Sequence, residues 1–186
     1  IPGAHNQADA AAAGAAVSIV GIEEFTADKY LATFPGTWRR FEYKGELKSG
    51  APVYDDYAHH PTEITATLQG FREIYPHGQK EITVVFQPHL YSRTKMLLED
   101  FGASFAQADH VIVLPIYAAR EENDGSVSSE MLAEKIRGHK INADAFETFQ
   151  EAFETLERRN LGSNDVLVTM GAGEAYQIGE ALLQSV

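Results

Sequence analysis

Residues 55–64 read Asp55-Asp56-Tyr57-Ala58-His59-His60-Pro61-Thr62-Glu63-Ile64 and directly follow the apolar, strand-like Pro52-Val53-Tyr54. Two carboxylates and two imidazoles in one decapeptide are a candidate site for ligand binding and proton handling. Pro61 suits the first turn of a helix, where its missing N–H has no partner to lose, and Glu63 puts negative charge at the favourable end of the helix dipole. The cluster is therefore expected where a strand hands over to a helix. In parallel α/β sheets that is the crevice where ligands bind. Asp55 and Thr62 could equally serve as helix caps.

A second segment, Gln87-Pro88-His89-Leu90-Tyr91-Ser92-Arg93-Thr94, follows an apolar run ending at Phe86 and precedes a helix expected from Lys95. It offers an imidazole, a guanidinium and hydroxyls to the same crevice. At a helix start the charge of Arg93 opposes the dipole, which points to an anionic ligand. A third segment, Met170-Gly171-Ala172-Gly173-Glu174, could present backbone N–H groups to a phosphate or carboxylate, or could serve only a tight turn. Its spacing to Gly179 does not fit a dinucleotide fingerprint. His59 and His60 beside Asp55 and Asp56 invite a metal reading, but adjacent residues on an extended segment point apart and no second ligand pair stands out, so no metal site is expected. Arg39 and Arg40 are either a solvated pair on an edge strand or include one residue facing a nucleotide.

These segments need elements to hold them. Strands are expected at residues 40–43, 52–56, 82–86, 111–116 and 165–170, with a weaker one at 141–146. Between them, Ile64, Leu68, Phe71 and Tyr75 share a helical face, as do Leu97, Phe101 and Phe105, then Phe149, Phe153 and Leu156, and lastly Ala175, Ile178 and Leu182. An unbroken run such as Ile82-Thr83-Val84-Val85-Phe86 implies burial on both faces of a sheet, and alternation with helices implies crossover connections. The fold class is α/β, a mostly parallel, Rossmann-like sheet with helices on both faces. Residues 1–34 differ: an Ala-rich, almost uncharged helix over 6–20 and a short one over 27–34, before the Pro35-Gly36 break. They are expected to be a helical remnant of a preceding domain, with the main domain at 35–186.

The composition narrows the partners. With 15 Lys and Arg against 27 Asp and Glu the net charge is -12, which disfavours nucleic acid and anionic membrane surfaces. Any phosphate must be held by local groups. The absence of cysteine excludes disulfides and thiolate metal sites and suits a reducing, cytoplasmic setting. No apolar run reaches the length of a membrane span. The start at Ile1-Pro2-Gly3, without a Met or a basic leader, suggests a piece of a longer protein.

Taken together, four segments resemble the Mur ligases: Ile1-Pro2-Gly3-Ala4-His5-Asn6; Phe34-Pro35-Gly36-Thr37-Trp38-Arg39-Arg40-Phe41-Glu42; Asp55 through Glu63; and Phe86-Gln87-Pro88-His89 through Arg93-Thr94. They occur there in the same order and at similar spacing, and the likeness covers essentially the whole chain, from the end of the family's central ATPase domain through its C-terminal domain. The resemblance implies an ATP-dependent amide ligase of peptidoglycan precursor synthesis that joins L-alanine to UDP-N-acetylmuramate through an acyl phosphate. It also implies ATP and Mg2+ as cofactors, bound mainly by a central domain, and the protein's own N-terminal and central domains as partners.

By the same resemblance His5, Asn6, Arg40 and Asp56 are nucleotide-binding, His59 and Arg93 are catalytic, and His59, His89 and Arg93 face the muramyl substrate and the incoming alanine. Two positions depart from the family pattern: Asp9 stands where a second Asn is usual, and Leu90 where an Arg is common. The chain contains no G-x-x-x-x-G-K-[ST] phosphate loop, so it is expected to be inactive alone. The alternatives are a ligase attaching a recycled tripeptide to the same sugar nucleotide, a stand-alone nucleotide-binding or interaction module, and, less well supported, a metal-dependent hydrolase.

Overall fold

The computed structural model describes residues 2–185. In chain order the elements are α1 (Ala4–Ile19), α2 (Glu24–Ala32), β1 (Glu42–Glu46), β2 (Pro52–Asp56), α3 (Pro61–Ile74), β3 (Glu81–Phe86), α4 (Tyr91–Met96), α5 (Leu98–Ser104), β4 (His110–Val113), α6 (Ser129–Gly138), β5 (Asn142–Ala145), α7 (Phe149–Arg159), β6 (Asp165–Met170) and α8 (Tyr176–Gln184). The strands form one sheet in the order β1-β2-β6-β3-β4-β5, all parallel except β1, which pairs antiparallel with β2. The expected α/β class and mostly parallel sheet are what the chain adopts.

The apolar runs in β3, β4 and β6 are buried on both faces. One layer, with α3, α5 and α6, packs Ile64, Leu68, Phe71, Phe101, Leu132 and Ile136 against the sheet. The other, with α7 and α8, packs Leu156, Ile178 and Leu182 against Val53, Val85, Ile112 and Leu167. Because the strands run parallel, the carboxyl ends of β2, β3, β4 and β6 lie along one edge. The polar segments of the sequence all emerge there.

Several boundaries differ from the sequence expectation. The first strand begins at Glu42, not at residue 40, because Arg39 (φ 55°) and Phe41 (φ 49°) adopt left-handed conformations that no strand can contain. β4 stops at Val113, short of 116, since Pro115 has no N–H to continue the ladder. The helix expected from Lys95 begins four residues earlier, at Tyr91, after Leu90 turns at φ 71°; a break at Leu97 then separates it from α5. Residues 129–138, which show no clear periodicity in the sequence, form α6, whose N-cap Ser128 accepts from the Met131 N–H at 3.2 Å.

α1 and α2 form a helical pair that touches the rest of the domain lightly. No side chain of α1 is buried, and only Ala27 is in α2. The contact with α3 is made where Gly3 and Gly70 meet: a Cβ on Gly70 would sit 3.3 Å from the Phe41 ring and 3.4 Å from the Gly3 Cα. The Gly3 N–H also donates to Glu73 at 3.1 Å. Among the described residues no helix is long and apolar enough to cross a membrane.

Candidate functional site

Asp55 and Asp56 end β2, and the alternation of a strand sends their side chains to opposite faces. Asp55 is not a cap. It is buried against Arg39, whose Nε donates to it at 2.6 Å, and it accepts from the Thr169 hydroxyl, also at 2.6 Å. Arg39 spends its remaining donors on the Gly173 and Gly171 carbonyls, at 2.9 and 2.7 Å. The first of the two arginines is therefore a buried tie between β2 and the glycine loop, and the second is exposed.

That tie decides what the glycine loop does. A Cβ on Gly171 would lie 2.6 Å from the Gln87 carbonyl oxygen, and one on Gly173 would overlap the Gln87 amide. The Glu174 N–H is taken by Gln87 Oε1 at 2.6 Å, and the Gly171 N–H by the Asp56 carbonyl at 3.1 Å. The loop is a tight turn locked to β3, and these backbone donors are already committed. Of the two readings open in the sequence, the structure takes the turn.

Asp56 faces the α3 side. Its carboxylate accepts from the Phe41 and Ala58 N–H groups, each at 2.8 Å, and from the Thr67 hydroxyl at 3.4 Å. Burial raises its pKa; the two N–H groups and the Arg40 charge oppose that rise. By holding the Phe41 N–H it pins the left-handed turn that puts Arg40 at the mouth of a cleft of ≈ 750 Å³ between α1, α2 and α3. Leu31, Phe34, Phe41 and Ala13 line its apolar wall, and His5, Asn6, Asp9, Arg40 and Asp56 supply the polar groups. The four residues singled out for nucleotide binding are thus brought together. An apolar slot flanked by a few polar groups, with one arginine, fits a nucleoside better than it fits the whole of a triphosphate.

His59 and His60 separate, as adjacent residues on an extended segment must. His60 is the N-cap of α3: its Nδ1 accepts from the Thr62 N–H at 3.3 Å, and Glu63 Oε2 accepts from the His60 N–H at 3.2 Å. Thr62 caps nothing. His59 turns toward β3, with its Nδ1 3.0 Å from the Tyr57 carbonyl and its ring 6.1 Å from that of His89.

Past β3, Pro88 to Leu90 runs beside residues 115–117: the Leu90 N–H donates to the Tyr117 carbonyl at 2.9 Å, and the Tyr117 N–H to that of Pro88 at 2.8 Å. This stacks Tyr117 on His89 at 5.5 Å and 17°. Burial first, then the Arg93 and His59 charges, push the His89 pKa below its ordinary value, which keeps the ring neutral. Arg93 lies in the first turn of α4 and not in a loop, so a six-residue helix carries it. His89 Nδ1 and Arg93 Nη1 are both buried without a hydrogen-bond partner among the described residues. Buried polar atoms are rarely left so, and an imidazole nitrogen near a guanidinium N–H, both without partners, suits a polar, anionic ligand. His59, His89 and Arg93 are brought to one end of the sheet, and Thr62 and Glu63, just after His59, line the cleft.

Residues 39–173 match the family described as "Mur ligase, glutamate ligase domain". The chain belongs to the Mur ligase family. The UDP-N-acetylmuramate–L-alanine ligases of Clostridium novyi and Caldanaerobacter subterraneus are 43% and 45% identical to it over 100% and 99% of its length. The chain spans 39% of the length of each. The crystal structure of the UDP-N-acetylmuramate–alanine ligase from Thermotoga maritima superposes with a TM-score of 0.81 at 26% identity, over 99% of this chain and 38% of that one. A murein peptide ligase from Psychrobacter arcticus shares the fold, with a TM-score of 0.69 at 24% identity over 100% of this chain and 38% of that one.

In this Mur ligase domain the sequence reading missed Tyr117, Glu121 and the locking role of Gln87. Gln87 lies in the Phe86-Gln87-Pro88-His89 motif, so the sequence carries a signal for it. Tyr117 and Glu121 lie in a stretch without periodicity and reach the site only through the non-local pairing with residues 88–90.

Proposed function

We propose that this chain is the C-terminal part of an ATP-dependent ligase that joins L-alanine to UDP-N-acetylmuramate. The observation that carries this reading is the pair of unpartnered buried atoms, His89 Nδ1 and Arg93 Nη1, at the carboxyl ends of the strands beside a nucleotide-sized cleft. Residues 1–34 are read as the end of a central ATPase domain and 35–186 as the C-terminal domain, working in the cytoplasm with the protein's own N-terminal and central domains.

In this reading the cleft takes the adenosine end of ATP. His5 and Asn6 approach the base from α1, and Arg40 and Asp56 approach the ribose and phosphates. The chain has no phosphate loop of its own, so the triphosphate and Mg2+ are held mainly by the central domain. ATP supplies the activation that turns the lactyl carboxylate of the sugar nucleotide into an acyl phosphate with a good leaving group. The work of this domain is positioning: Arg93 holds the alanine carboxylate, the neutral His89 accepts from its amino group, and His59 borders the muramyl side. Orientation of this kind can supply several kcal/mol of a bimolecular barrier.

The test is an assay of the full-length protein for phosphate release that requires both UDP-N-acetylmuramate and L-alanine. Dependence on both supports the reading. Equal turnover with a murein tripeptide and none with L-alanine would replace it with the recycling ligase.

A further inference from the structure

Glu121 stands in the segment between β4 and α6, 28 residues beyond Arg93 in sequence, yet its carboxylate closes on the helix that carries Arg93. Its Oε2 accepts from the Ser92 N–H at 2.9 Å and its Oε1 from the Ser92 hydroxyl. α4 has no side-chain cap of its own: Leu90, at the N-cap position, is apolar and sits at φ 71°, ψ 131°, a conformation that L residues with large side chains avoid. A helix of six residues with an uncapped, strained start is not held in place by its own hydrogen bonds. Arg93 is the third residue of that helix, so any pivot of its first turn moves the guanidinium. The same segment grips the preceding strand exit through Tyr117, which pairs with Pro88 and Leu90 and stacks on His89.

Resting on the reading of Arg93 as the carboxylate-binding residue, we propose that Glu121 is a positioning residue. From the β4–α6 segment it clamps the start of α4 and so sets the place of the Arg93 guanidinium, while Tyr117 on the same segment sets the His89 ring. The two groups that face the substrate are thus registered to one another by a single stretch of chain. The carboxylate does this through two hydrogen bonds to one residue, so the geometry, not the negative charge, is what Arg93 needs.

The experiment is steady-state kinetics on the full-length protein with Glu121→Ala, Glu121→Gln, Arg93→Ala and the Glu121→Ala/Arg93→Ala double variant, varying each substrate in turn. Glu121→Ala should raise the KM for L-alanine or for UDP-N-acetylmuramate by about two- to fivefold, the scale of a solvent-exposed charged contact, with the KM for ATP unmoved. Glu121→Gln, which can still accept from the N–H and donate to the hydroxyl oxygen, should restore most of it. In the Arg93→Ala background Glu121→Ala should add nothing. Unchanged kinetics of Glu121→Ala beside an impaired Arg93→Ala would overturn the clamp and leave the reading of Arg93 standing, as would a Glu121→Ala defect that persists in full without Arg93. Wild-type kinetics of Arg93→Ala would overturn both. If Glu121→Ala fails to fold, Glu121→Gln carries the test: folded with near wild-type KM values it supports the clamp, and folded with the KM for either substrate raised severalfold it would overturn the claim that geometry is what matters.

Discussion

The Arg39 guanidinium meets the Asp55 carboxylate at 2.6 Å with 4% and 1% of their side chains exposed, and the same guanidinium holds the carbonyls of Gly171 and Gly173. Three rings surround it, those of Tyr176, Tyr57 and Trp38, at 4.8, 5.2 and 5.9 Å. One buried cation thus fastens the end of β2, which carries Asp56, to the loop after β6.

Removing one partner of a buried pair strands the other. Arg39→Ala should therefore destabilise the domain by about 3–5 kcal/mol, and Arg39→Lys, which cannot make the three-way fork, by a large part of that. Chemical denaturation of the variants measures it. A loss within about 0.5 kcal/mol, the range of an ordinary surface substitution, would contradict the assigned burial.

Asp56 has a structural share that the sequence does not reveal. Asn keeps one acceptor oxygen but turns an NH2 group toward a backbone N–H, so Asp56→Asn should cost about 1–3 kcal/mol of stability in addition to impairing ATP use. Its raised pKa has a definite sign: the folded state favours the protonated acid, so this group's contribution to stability is greatest below the ordinary 3.8 and is lost as pH rises through the folded value. A pH series of unfolding curves on wild type and Asp56→Asn should show a difference that shifts in favour of wild type toward acid and declines as pH rises through the folded value, because the amide does not titrate. A difference constant across the acid range would contradict this.

For His89 the sign is opposite. Burial holds its pKa below 6.5, so the folded state resists protonation and this group's contribution to stability falls as pH drops below 6.5 toward the folded value. On the proposed function, the same proton turns an acceptor into a donor facing the alanine amino group. The KM for L-alanine should therefore rise as pH falls through that window, and His89→Gln should flatten the rise. A profile identical in the variant would assign the titration elsewhere.

The 186-residue chain, purified by itself, should bind adenine nucleotides weakly at most and should neither hydrolyse ATP nor form UDP-N-acetylmuramoyl-alanine, because it holds no phosphate loop. Product detection by mass spectrometry after overnight incubation is the check. Turnover proportional to this protein would refute the division of labour.

Local sequence carried much of this. β2, β3 and β6 were legible as apolar runs, and the strand-to-helix handover at Pro61 was legible from proline and dipole chemistry. His89 and Arg93 stood out by residue type. What escaped depends on partners far along the chain. Nothing near Arg39 says that it, and not Arg40, is buried, since its acceptors are the carbonyls of Gly171 and Gly173. The early start of α4 follows from Leu90 taking a positive φ, which a leucine does not advertise. α6 hides because its buried face is only Leu132, Ala133 and Ile136 among charged residues.

The central claim is that Arg93 fixes a substrate carboxylate, and steady-state kinetics of Arg93→Lys and Arg93→Ala in the full-length enzyme test it most directly. Lysine keeps the charge and loses the planar fork, so Arg93→Lys should stay clearly impaired and Arg93→Ala should be worse, by about 1.5–3 kcal/mol in kcat/KM. The account predicts that the loss falls on L-alanine or UDP-N-acetylmuramate with the KM for ATP unchanged. A loss confined to ATP, or none, would contradict it.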